Sequence, residues 1–144
     1  MKDVYVDTFR KVIKQTQNNT GLEIPVSLEA YISIMLANFV EKNNILPSKG
    51  FSEYYLTLKN SQNAKELGDV CLFVTSVFPS FGESRYTVNK KYYSDIGISS
   101  YEKAAQNLNY EIFVLLSTNF LFLQKFIEIS ISSSQTGDLF NNFS

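Results

Sequence analysis

The chain has 144 residues, 44% hydrophobic and 19% charged, with a formal net charge of −1, nine tyrosines, twelve phenylalanines and no histidine. That length and balance fit one globular domain and exclude a disordered chain. Its densest cationic stretch, Arg10, Lys11 and Lys14, is broken by apolar residues, so the basic face of a nucleic-acid binder is missing.

Val6, Phe9, Val12 and Ile13 recur at helical spacing and predict a first helix over residues 3–16, followed by a loop through Gln17, Asn18, Asn19, Thr20 and Gly21. Pro25 keeps 22–26 extended. Ser27 is suited to cap a second helix, with Glu29 in its first turn, Leu28, Tyr31, Ile32, Met35, Leu36, Phe39 and Val40 behind it, and Asn43 and Asn44 at its end. After a loop through Pro47 and Gly50, a short helix is predicted over 51–59. The next covers 63–78 and stops because Pro79 follows. It is apolar on both sides, which marks a central helix. Ser80 to Val88 reads as a loop. Asn89 can cap a helix to about Gln106, with Tyr93, Ile96, Gly97, Ser100, Tyr101 and Ala104 facing inward. A last helix is predicted over 109–129, apolar nearly all round and so either central or shared with another subunit. Residues 130–144, with their serine run, are expected to fray, with Leu139, Phe140 and Phe143 able to dock.

The chemistry these residues permit is narrow. Without histidine there is no Ser–His or Cys–His dyad. One cysteine, Cys71, allows neither an intrachain disulfide nor a zinc site built from Cys and His. No glycine-rich phosphate loop and no calcium loop is present, so no metal and no cofactor is expected. The N-terminal residues carry acids where a signal peptide needs an apolar core. The greasiest segment, Ile112 to Leu123, spans about twelve residues where a membrane crossing needs about 20. The expected setting is therefore the cytoplasm.

Asp69 stands out because its helix is apolar on both sides, and a buried carboxylate must find donors. Tyr92, Tyr93, Tyr101 and Arg85 are the candidates. Such a group reads first as a polar tie between helices, and secondly as the anchor of a ligand site or an acid–base pair with Tyr92 or Tyr93. Gly97, inside a helix at a cost of about 1 kcal/mol against alanine, implies close approach by a neighbour. With Ser100 and Ala104 it forms a strip of small residues.

Glu66-Leu67-Gly68-Asp69-Val70-Cys71-Leu72-Phe73-Val74-Thr75-Ser76-Val77-Phe78-Pro79, then Val88, Tyr92-Tyr93, Ile96-Gly97 and Ser100-Tyr101, resembles a pattern in a family of uncharacterised bacterial proteins, LGDxxLFxSGxFP followed by VxxxYYxxxGxxAY. Ser27-Leu28-Glu29-Ala30-Tyr31 with Leu36-Ala37-Asn38-Phe39-Val40 is similar to the family's first helix, and the likeness covers roughly residues 27–130. The chain departs from it with Val77 in place of Gly and Ser100 in place of Ala. The resemblance implies a bacterial cytoplasmic helical protein in which Gly68-Asp69, Tyr92-Tyr93 and Gly97 form one structural unit. It implies no activity.

The fold expected is all-α, an irregular bundle of about five or six helices forming a single domain over 1–144, with the helices near 63–78 and 109–129 central. The expected function is that of a non-catalytic protein-interaction module acting as a homodimer, since a two-fold interface is the commonest way to bury surplus apolar surface. The alternative is a helical protein binding a small-molecule or lipid-like ligand, with Asp69 and tyrosines as polar anchors.

Overall fold

The computed structural model describes residues 2–45, 63–78, 90–108 and 110–143, and every regular element among them is helical, as the periodicity predicts. Pro79, Arg85, Asn89, the helix expected over 51–59 and the loops expected through Pro47 and Gly50 and over 80–88 lie outside the described residues. Backbone contacts divide the chain into two compact units, Met1–Ser52 with Ile129–Ser144, and Glu53–Glu128.

In the first unit, α1 (Lys2–Thr20) packs on α2 (Val26–Ile45). Phe9, Ile13 and Thr16, spaced four and three apart, are the buried face of α1. The helix runs through Gln17–Thr20, where the sequence suggests a loop. It ends at Gly21, whose positive φ of 75° lets its N–H reach the Gln17 carbonyl at 3.0 Å. Helix α2 begins one residue before the expected cap: the Pro25 carbonyl accepts the N–H of Glu29 at 3.0 Å, and Ser27 already lies inside the helix. Proline preceding the first turn fixes the chain direction without needing a side-chain cap.

The second unit centres on α3 (Ala64–Val77), in which every residue from Gly68 to Ser76 is buried. Asn63 caps it, its side-chain oxygen accepting the Glu66 N–H at 3.2 Å. Helix α4 (Lys90–Leu108) packs along α3, and α5 (Glu111–Thr118) packs on α4. The inward face of α4 is Tyr93, Ser94, Gly97, Ser100, Tyr101 and Ala104, with Ile96 only half-buried.

The long last helix expected over 109–129 is instead two, α5 and α6 (Phe120–Ser134), meeting at 78°. The reason is local. Ser117 and Thr118 hydroxyls donate to the Val114 carbonyl at 3.0 and 2.8 Å, and Asn119 Nδ2 donates to the Leu115 carbonyl at 2.9 Å. Three consecutive polar side chains thus compete for the carbonyls that end α5. Asn119 leaves helical geometry (φ −107°, ψ 15°), and its own carbonyl starts α6 by accepting the Leu123 N–H at 2.8 Å.

Nor does 130–143 fray. Helix α6 continues to Ser134, and Gln135 in left-handed conformation (φ 58°) turns it into a 3-10 segment over Thr136–Phe143. That segment packs on α2 and buries Phe140, which stacks on Phe9 at 5.9 Å. Ser130 donates to Thr16 at 2.8 Å, joining α6 to α1 within the first unit. The docking of Phe140 outweighs the poor helix propensity of the serine run.

Candidate functional site

Asp69 lies on α3, one residue after Gly68, and is 7% exposed. Its Oδ1 accepts the Tyr101 hydroxyl at 2.6 Å, and its Oδ2 accepts Lys65 Nζ at 2.8 Å. The two donors come from different directions. Lys65 sits one turn earlier on the same helix, its head still partly in water; Tyr101 reaches across from α4 and is fully buried. A charged hydrogen bond on each oxygen meets the requirement that a buried carboxylate be partnered.

Gly68 makes the reach of Tyr101 possible. A Cβ there would stand 2.7 Å from ring atoms Cδ1 and Cε1, so the phenol lies flat against bare α3 backbone. The far side of the ring neighbours Phe113 and Phe120 at centroid distances of 6.2 and 6.0 Å. Gly97, four residues before Tyr101 on α4, opens space in the same way: a Cβ would meet Phe120 ring atoms at 2.5 and 2.6 Å and Cys71 Cβ at 2.9 Å. The close approach inferred from a helical glycine is therefore present, with a helix and an aromatic ring both entering the space. Cys71 is buried in this contact.

Of the sequence-predicted donors, Tyr101 is placed on Asp69. Tyr92 and Tyr93 pack against each other edge-to-face at 5.5 Å, Tyr93 inward and Tyr92 outward. Arg85 and Pro79 are outside the described residues. Lys65 is not among the sequence-predicted donors, although its position four residues before Asp69 is the spacing that brings side chains together on a helix. With Asp69 7% exposed and each oxygen bonded within the protein, its surroundings lend an acid–base role at an open cleft no support.

Two further buried polar groups escape sequence reading altogether. Gln124 on α6 donates through Nε2 to Thr75 Oγ1 of α3 at 2.7 Å and to Ser94 Oγ of α4 at 2.6 Å. Those hydroxyls in turn donate to their own helices, at the Cys71 and Lys90 carbonyls. One amide thereby ties three helices. Because both hydroxyls keep their own bonds without it, Gln124→Met is expected to change unfolding free energy by less than about 1 kcal/mol; chemical denaturation checks this, and a loss above about 2 kcal/mol would show the amide to be indispensable.

In the first unit Glu29 is buried, with Gln17 Nε2 at 3.4 Å and the cations of Lys14 and Arg10 at 3.9 and 4.0 Å. Arg10, Lys14 and Gln17 form one stripe of α1 at intervals of four and three. Two of the three cations in the densest basic stretch of the sequence thus face an internal carboxylate. Among the described residues no group of three or more His, Cys, Asp or Glu is placed to hold a metal.

Large apolar side chains also stand in water. On the segment joining α5 and α6, Tyr110 is 61% exposed, Val114 48%, Leu121 62% and Phe122 39%. Among the described residues no single helix is long and apolar enough to cross a membrane; the bent pair α5–α6 passes that test only when its two arms are taken together.

The fold and these buried ties define an all-α protein whose most conspicuous polar cluster, at Asp69, joins two helices. No family model matches the chain, and no curated protein or solved structure does either.

Proposed function

We propose that the protein is a non-catalytic interaction module of the cytoplasm that acts as a homodimer, through the apolar side of α5 and α6. One observation carries this reading: Tyr110, Val114, Leu121 and Phe122 are exposed within thirteen consecutive positions. Scattered apolar residues on a surface need no explanation, but a concentration of large ones is characteristic of contact surfaces. Aromatic residues are enriched in such surfaces. A second subunit of identical sequence is the commonest cover. A bacterial source is suggested by the sequence resemblance alone.

Sedimentation velocity at micromolar concentration tests the proposal. A dimer is expected for the wild type, and Leu121→Asp is expected to weaken it at least about tenfold by placing a charge in the desolvated centre. Leu121 is exposed in the monomer, so the helical circular dichroism should be unchanged. A wild type that sediments only as monomer would overturn the reading.

A further inference from the structure

The exposed positions of α5 and α6 have a symmetry of their own. Glu111, Val114, Thr118, Leu121, Phe122 and Lys125 are all exposed, and they follow one another at helical intervals across the break. Thr118 is the centre of this series. Seven residues before it stands an acid, Glu111, and seven after it a base, Lys125; four before it stands Val114, and four after it Phe122. All belong to the second compact unit.

A two-fold interface brings residue i to residue j of the other subunit and j to i. A patch is self-complementary when its acid and base lie at equal distances on opposite sides of its centre, and this one does. The bend makes the pairing feasible in space. With two arms at 78°, a two-fold rotation about the bisector of the bend exchanges them, laying α5 of one copy antiparallel on α6 of the other. The eight residues of α5 cover about 12 Å at the rise of an α-helix, a length that α6 matches from Phe120 to Ile127.

We propose, on the basis of the homodimer reading above, that two copies pair in this register: α5 crosses the partner's α6, Val114 meets the partner's Phe122, and Glu111 faces the partner's Lys125. Glu111 has no ion-pair partner among the described residues. Lys125 holds only a loose contact with Glu128 at 3.6 Å, its side chain 69% exposed. Both are free to pair across the interface. Opposite charges at the rim set register and exclude wrong pairings more than they add affinity.

The test is a charge exchange. Glu111→Lys and Lys125→Glu, each alone, place two like-charged pairs in the homodimer, and each is expected to weaken self-association about tenfold at low salt. Mixed together, the two variants regain both opposite pairs, so a one-to-one heterodimer near wild-type affinity should form, read by native mass spectrometry and sedimentation. If the wild type dimerises but the mixture gives no preference for the heterodimer, the register is overturned while the homodimer reading stands. If the wild type is monomeric, both fall. Both substituted positions are exposed, and thermal melts of the variants should match the wild type.

Discussion

Replacing Gly97 by leucine is expected to lower the stability of the protein by about 3 kcal/mol, or roughly 10 °C in melting temperature for a chain of this size. A first side-chain carbon alone would sit 2.9 Å from Cys71 Cβ and 2.5 Å from the Phe120 ring. Phe120 is fully buried and cannot swing into solvent. Cys71 Cβ is fixed to the backbone of α3, so relief there requires α3 and α4 to separate. Leucine adds three further carbons to the same space. Alanine should cost less, because the better helix propensity returns about 1 kcal/mol. Thermal melts of the two variants followed by circular dichroism give both values, and a leucine variant melting like the wild type would show that the contact yields freely.

Tyr101→Phe should cost about 2 kcal/mol, in the range for a buried hydrogen bond to a charged group. The ring would keep its seat on Gly68, so almost the whole effect belongs to the 2.6 Å bond to Asp69. What remains is a carboxylate, 7% exposed, held by Lys65 alone of the two donors described. Removing the acid as well, in Asp69→Leu with Tyr101→Phe, takes away the group left unsatisfied. The double variant should therefore lose less than the sum of the single losses. Urea denaturation of the four proteins closes the cycle, and strict additivity would mean that hydroxyl and carboxylate do not act as a pair.

The features legible in the sequence are those written in local spacing. Helical periodicity gives the described helices α3 and α4 their positions within a few residues, and Gly97 announces a close approach through its helix cost alone. Asp69 is conspicuous because both flanks of its helix are apolar. Tyr101 is one candidate donor among several, since choosing between it and Tyr93 depends on how α4 is rotated against α3. The break at Asn119 is hidden because Ser117, Thr118 and Asn119 are tolerated inside helices when their side chains face water. Only their back-bonding to Val114 and Leu115 shows that here they end one. Gln124, Ser94 and Thr75 are invisible for another reason: a single amide in an apolar helix signals nothing until the two hydroxyls opposite it are known. Phe140 likewise docks by a contact with Phe9, a partner that no local pattern names.

The hydrogen bond from Ser130 to Thr16 closes a stretch of 114 residues, whereas those from Tyr101 to Asp69 and from Gln124 to Ser94 close about 30. In free energy the difference is slight, about 1 kcal/mol by the logarithmic law for loops. In time it is large. During synthesis the segment 63–128 is complete, with every partner it needs for its internal ties, before Phe140 exists to cover Phe9. Helices α1 and α2, made first, are thus the last to be sealed, and their core stays open for as long as the ribosome takes to reach the final turn.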